Sequence, residues 1–368
     1  MVNKNYTINV LVAPLDWGLG HTTRCIPIIQ ELISTGVNVM LAGNHVQKAL
    51  LNKEFPHCKF LSLDGYNVSY SARRKNFVFK ILQQTPSMLK TIRVENKWLD
   101  RIVDEQQIDA VISDNRFGLH SNKVPCVFIT HQLLIKNDLG GIAEKTLQQF
   151  NYEQINHFSE CWIPDFANLP NLAGELSHPQ KMPSIPCEFI GMLTRIKKIT
   201  VPKIKGHVLL MLSGPEPQRT IFEKILFAQL EYFTGTATVV RGIPADNNPP
   251  SLINGVAVFN HLPAEHLNRE ICRAEYVVCR SGYSSVMDIA ALDVKPILIP
   301  TPGQTEQEYL AKYLSQQKFC ITSTQQDFNL HELIKTAQTF QFENPFRQKK
   351  YHLSEVVQKF IFGIRSNT

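Results

Sequence analysis

The chain has 368 residues, 43% of them hydrophobic and 19% charged, with a formal net charge of +6. That length exceeds one ordinary core and suits two domains, and the apolar content excludes a disordered chain. The charge is too mild to imply a nucleic-acid partner; it fits an anionic ligand or an anionic membrane surface.

In chain order, residues 8–13 are an apolar run that predicts a buried parallel strand. The strand leads into Asp16-Trp17-Gly18-Leu19-Gly20-His21-Thr22-Thr23-Arg24. Gly18 and Gly20 allow positive φ and close approach of a ligand. A helix is predicted over 22–35, stopped by Gly36, which puts His21 at a helix N-terminus. There the dipole disfavours protonation, so His21 is either a neutral catalytic base or a cap in a tight turn. Arg24, one turn further on, either approaches a phosphate or is solvated.

Strands are expected at 37–42, 59–63, 108–113 and 124–130, with helices at 45–53 and one or two within 71–106. Asp114 and His131 follow two of those strands and read as caps or as alternative bases facing an acceptor. Arg73-Arg74-Lys75-Asn76-Phe77-Val78-Phe79-Lys80-Ile81-Leu82 mixes cations with large apolar side chains. Such a stretch either lies on an anionic bilayer or packs on its own domain with a solvated basic face.

The proline-rich segment 164–206 reads as irregular chain and linker. A second series of strands follows at 207–212, 236–240, 256–259, 276–279, 296–300 and 319–322, separated by helices. Alternation of this kind implies βαβ units with right-handed crossovers, so each half is an α/β, Rossmann-like domain with a parallel sheet. Boundaries are expected at 1–190 and 191–350, with an amphipathic helix over 351–368 packing back toward the first domain.

The second half carries the denser signal. Ser213 and Gly214 follow its first strand, and Arg219 lies in reach of an anion bound there; a rigid turn is the alternative. Arg280-Ser281-Gly282 follows the strand 276–279 and opens a helix. Thr301-Pro302-Gly303 follows the next strand and opens another, with Glu306 and Gln307 in its first turns. Two helix N-termini side by side at strand ends favour an anion, and Ser281, Ser284 and Ser285 add hydroxyl donors. A nucleoside diphosphate suits that arrangement best.

This stretch resembles the carboxyl-terminal domain of family 28 glycosyltransferases, including those that act on the peptidoglycan lipid precursor. Arg280-Ser281-Gly282, Asp288 six positions after that glycine, Pro296-Ile297-Leu298-Ile299-Pro300 and Glu306-Gln307 carry the resemblance. Gly18-Leu19-Gly20-His21 is similar to the amino-terminal loop of the same transferases and of related nucleotide-sugar hydrolases. The resemblance implies a GT-B protein, two Rossmann-like domains facing across a cleft, with a UDP-sugar donor on the second domain. It places uracil near Phe259 and Leu262, ribose at Asp288, and the hexose at Glu306 and Gln307. The implied reaction is inverting transfer of a sugar, an N-acetylhexosamine, to an unidentified acceptor of cell-surface glycan or glycolipid synthesis. Arg280, Ser281 and Ser284 would stabilise the leaving diphosphate, with no metal or other cofactor, because no paired carboxylates follow a strand. A nucleotide-sugar hydrolase and a non-catalytic nucleotide-sugar binder are the rival readings. The eight cysteines have no metal-ligand spacing and read as reduced. No apolar run reaches the roughly 18–20 residues of a spanning helix, so a cytoplasmic protein is expected, with contact at the inner membrane face left open.

Overall fold

The computed structural model describes residues 7–66, 77–137, 140–243 and 255–367. Arg73, Arg74 and the rest of 73–76 lie outside them, as do the side chains of 77–82, so the basic-apolar stretch has no structural account. The chain forms two compact units, one drawn from residues within 1–195 together with Lys350–Thr368, the other including Ile196–Lys349.

The first unit begins with β1 (Asn9–Pro14), α1 (Leu19–Ser34), β2 (Asn38–Gly43), α2 (His45–Glu54) and β3 (Lys59–Ser62). It continues with α3 (Phe77–Glu105), β4 (Ala110–Asp114), β5 (Cys126–Ile129), α4 (Gly141–Ile155), β6 (Glu160–Ile163) and β7 (Cys187–Phe189). Its strands form one seven-stranded sheet ordered β3-β2-β1-β4-β5-β6-β7, and every pairing is parallel. Central strands such as β1 and β4 are buried along nearly their whole length and mostly apolar, as strands of a doubly wound sheet covered on both faces are. Leu11, Val111, Phe128 and Ile163 share one core cluster. Full burial of one such side chain is worth about 1.5–3 kcal/mol.

Two sequence expectations need correction here, the start of the first helix and the irregular reading of 164–206, and one segment, 141–163, carried no expectation. The first helix starts at Leu19, not Thr22, so Gly20 and His21 lie within its first turn. The segment 141–163 holds α4 and β6, and the proline-rich stretch holds β7. These strands have four and three residues, too few for periodicity to register, and α4 has a glycine N-cap with no side-chain capping bond.

The second unit comprises β8 (Val208–Met211), α5 (Gln218–Leu230), β9 (Ala237–Val240), β10 (Ala257–Phe259), α6 (Ala264–Arg273) and β11 (Tyr276–Cys279). Then come α7 (Tyr283–Ala290), β12 (Lys295–Leu298), α8 (Thr305–Gln316), β13 (Ile321–Thr322) and α9 (Leu330–Thr339). Its six-stranded parallel sheet has the order β10-β9-β8-β11-β12-β13. The closing helix α10 (Leu353–Asn367) packs with α1 in the first unit; Arg365 donates to the Thr35 carbonyl at 3.0 Å. No helix among the described residues is long and apolar enough to cross a membrane.

Candidate functional site

In each sheet the strand order reverses beside the first strand of the unit, between β1 and β4 and between β8 and β11. Ligands bind in such sheets in the crevice beyond the carboxyl ends of the strands at that reversal; α1 follows β1 in the first unit, and α5 and α7 follow β8 and β11 in the second.

In the first unit that point is held by polar clamps. Leu15 N donates to the Asp114 carbonyl at 2.9 Å, tying the end of β1 to the end of β4. Buried Gln47 of α2 donates to the carbonyls of Pro14 (3.0 Å) and Leu15 (3.1 Å). Arg116 and Glu95 form a buried ion pair at 2.7 Å. Tyr66 donates to Glu95 at 2.6 Å, and the Tyr66 ring meets Trp17 edge-on in the turn after β1.

The result is a compact charged group. Asp114, wholly buried, stands 3.2 Å from His21 Nδ1 through its Oδ2. Arg24 donates from Nε to the same oxygen at 2.8 Å and from Nη2 to Oδ1. Its Nη2 also lies 2.9 Å from His21 Nδ1, and its Nη1 lies 3.4 Å from His131 Nδ1. His21 is the member that reaches solvent, with 19% of its side chain exposed.

Nδ1 of His21 thus sits between a donor and an acceptor, which defines two tautomers. Protonated at Nδ1, the ring donates to Asp114 and leaves Nε2 with a free lone pair; protonated at Nε2, it accepts from Arg24. Burial, and after it the Arg24 charge, lower the His21 pKa from the ordinary 6.5, against the pull of Asp114. Burial alone would raise the Asp114 pKa, but Arg24 and His21 together outweigh it and hold the carboxyl well below its usual range. The group therefore contains a neutral imidazole beside a permanent ion pair.

Arg24 is accordingly not the phosphate-facing cation the sequence suggested. Its guanidinium is 2% exposed and occupied by Asp114, His21 and His131. Asp114 is buried and ion-paired, which makes it a poor proton acceptor. His131 is buried beneath Arg24. Gly18 takes positive φ (83°) as the α1 N-cap, whereas Gly20 sits inside the helix.

In the second unit, Met211, Cys279 and Leu298 are level across β8, β11 and β12. Gly214, Gly282 and Thr301 each come three residues later, beyond the ends of those strands. Gly282 is the α7 N-cap with ordinary φ and ψ (−67°, 138°), and no side chain caps that helix. A Cβ at 282 would lie 3.9 Å from its nearest neighbour, Gln307 Nε2, so neither strain nor packing within the protein requires glycine there. Ser284, Ser285, Asp288 and Glu306 are half-buried on α7 and α8. Phe259, at the end of β10, is 39% exposed, and Leu262 is buried. Ser213 and Gly214 are exposed.

Four residues expected to touch the donor directly point inward instead. Arg280 is 1% exposed; it donates to the carbonyls of Ile299, Pro300 and Gln218 and to Gln325 Oε1. Ser281 donates to the Gln307 carbonyl at 2.8 Å, which fastens α8 to the end of β11. Gln307 accepts from Thr301 N at 2.9 Å, fixing the turn after β12. Arg219 is bound to Glu216 at 2.6 Å and Glu223 at 2.8 Å. Glu223 also pairs with Arg241, which reaches Asn260 at 2.8 Å. These side chains shape the strand ends. Sequence reasoning missed Gln47, Arg241 and the hydroxyl of Thr301; for Gln47 the signal was Asn44 three residues earlier, completing a capping box.

Residues 262–360 match the glycosyltransferase family 28 C-terminal domain. An uncharacterized glycosyltransferase of Methanosarcina acetivorans is 23% identical over 82% of both chains. The UDP-N-acetylglucosamine--N-acetylmuramyl-(pentapeptide) pyrophosphoryl-undecaprenol N-acetylglucosamine transferase of Buchnera aphidicola is 21% identical, covering 95% of this chain and 92% of its own. Among solved structures, MurG of Acinetobacter baumannii superposes with TM-score 0.58 at 14% identity, covering 97% of this chain and all of that one. UGT89C1 of Arabidopsis thaliana gives TM-score 0.65 at 12% identity, covering 98% of this chain and all of that one. Two parallel Rossmann-like sheets give the chain a GT-B fold, and with the family 28 domain matched in its second half the chain is similar to family 28 glycosyltransferases.

Proposed function

We propose that the protein transfers a sugar, an N-acetylhexosamine, from a UDP-sugar to an acceptor hydroxyl of a cell-surface glycan or glycolipid, with inversion at the anomeric carbon. The observation that carries this reading is the neutral His21 held by Asp114 and Arg24 at the first unit's strand switch. A pure binder has no use for a poised base. The Buchnera relative is named for a UDP-N-acetylglucosamine donor, and UGT89C1 has been solved with UDP-L-rhamnose, which supports a UDP-sugar here.

In this reading residues 1–190 serve the acceptor and 191–350 the donor. The reactive tautomer of His21 keeps its proton on Nδ1, donating to Asp114, and takes the acceptor proton at Nε2. The deprotonated oxygen attacks the anomeric carbon from the side opposite UDP, so one C–O bond forms as the other breaks. Asp114 stabilises the resulting imidazolium. Negative charge developing on the diphosphate falls to the N-terminus of α7, with Gly282, Ser284 and Ser285 around it and Ser213 and Gly214 opposite. Asp288 takes the ribose hydroxyls, Phe259 and Leu262 flank the base, and Glu306 meets the hexose.

UDP release from UDP-N-acetylglucosamine, followed with and without extracted cell-envelope lipid, tests the assignment. Release that depends on lipid supports transfer, and lipid-independent release identifies a hydrolase. His21→Ala should reduce turnover by at least about 10² while leaving UDP affinity unchanged. A variant retaining near-normal turnover would show that the base is another group.

A further inference from the structure

Among the described residues of the second unit, one buried hydroxyl has no hydrogen-bond partner in the protein. Thr301 is 2% exposed, and its Oγ1 is fully buried and unpaired. The rest of the residue is occupied: its N–H donates to Gln307 Oε1 at 2.9 Å, and its carbonyl accepts from Gln304 N at 3.0 Å. Burying a hydroxyl without a partner is costly, and native proteins rarely leave one so without a use. Valine would fill the same volume without that penalty.

The hydroxyl faces the strand switch. Thr301 follows β12, yet Oγ1 lies 3.7 Å from where a Cβ on Gly214 would stand, beyond the end of β8. It therefore reaches across the end of the intervening β11, where α7 begins. Gly214 has φ 102°, so the chain turns there without a side chain to cover the hydroxyl.

A second observation gives the sign of the missing partner. Arg280 lies buried under the same strand ends, and its polar partners are three carbonyls and a glutamine amide oxygen, none of them charged. Its Nε has no partner, and the guanidinium rests 4.4 Å from the centre of the Phe222 ring. Buried cations are ordinarily paired with an anion. A guanidinium with no carboxylate partner, behind an unpaired hydroxyl and a helix N-terminus that no side chain caps, favours an anion.

We propose that Thr301 is a donor-binding residue whose hydroxyl donates to the diphosphate of the nucleotide sugar, with Arg280 supplying positive potential from behind. The assignment rests on the UDP-sugar reading and adds a contact that no sequence motif marks. A small movement of the exposed Ser213-Gly214 turn would admit a phosphate oxygen.

Calorimetry with UDP and uridine on the full-length protein, Thr301→Val and Thr301→Ser tests it, alongside thermal melts without ligand. The valine variant should bind UDP at least about tenfold more weakly, the lower bound for a hydrogen bond to a charged group. Its uridine affinity should match the parent, Thr301→Ser should retain most UDP affinity, and the ligand-free valine variant should melt no lower than the parent. Equal UDP affinity in parent and valine variant overturns the role of Thr301 alone. A lower melting point in the valine variant also overturns it, by showing that the hydroxyl has a structural partner. Failure of the parent to bind UDP overturns the donor reading and this assignment with it.

Discussion

Replacing Arg24 by Met tests how the first unit sets the protonation of His21, the base proposed above. The substitution keeps the length and apolar stem but removes the cation from Asp114, to which it donates from both Nε and Nη2. Both side chains are essentially out of water, at 2% and 0% exposure, so solvent screening offers little relief. Leaving one charge of such a pair buried and unmatched costs about 3–5 kcal/mol. All three tryptophans, Trp17, Trp98 and Trp162, lie in the first unit, so their fluorescence during urea denaturation reads that loss directly. Asp114→Asn combined with Arg24→Met removes both charges and should recover most of it. The kinetic consequence is separate. Without Arg24 the pull of Asp114 on His21 is opposed chiefly by burial, so the histidine pKa rises and the acid limb of kcat/KM moves to higher pH. Arg24→Lys keeps the charge but loses the planar fork, so it should destabilise the fold while leaving that limb near its original position. An unmoved acid limb in folded Arg24→Met would refute the idea that the Arg24 charge adds to burial in keeping His21 neutral.

Gly282→Val should fold normally, because φ is −67° and the nearest neighbour of the new Cβ is 3.9 Å away. It should nevertheless weaken UDP by tenfold or more in calorimetry, and unchanged affinity would move the diphosphate away from α7. Stability of the first unit should fall as pH drops below 6.5, because His21 has a lowered folded-state pKa and the unfolded chain then binds the extra proton. Asp114, also depressed, adds a loss only at lower pH, as it falls below the ordinary carboxylate range toward the folded-state value. His21→Gln should flatten the decline between pH 6.5 and 5 in tryptophan-monitored urea midpoints, and an unaltered slope would assign it to other groups.

The sequence reveals the strands better than the turns that follow them, and the reason is physical. Apolar runs such as 8–13 and 276–279 must be buried on both faces, so their composition declares them. Whether the next polar side chain turns outward to a ligand or inward to a carbonyl is decided by three or four dihedral angles and by neighbours far along the chain. Arg280 and Ser281 stand in the most recognisable motif of the chain, yet both turn inward, toward carbonyls of residues 218, 299, 300 and 307. Arg24 turns inward for the same kind of reason, because Asp114 is 90 residues away in sequence but next to it across β1 and β4.

These two buried arginines differ in one respect that local sequence cannot show. Arg24 has a carboxylate partner, so its unit carries a neutralised cluster in which the histidine remains uncharged and able to accept a proton. Arg280 has only neutral partners, so its unit retains an uncompensated positive charge behind three strand ends. A base needs the first environment, because a nearby excess of negative charge would protonate it. A leaving dianion needs the second, because its charge must be met by something already in place. On the proposed reading, the presence or absence of one aspartate separates proton chemistry in the first unit from anion binding in the second.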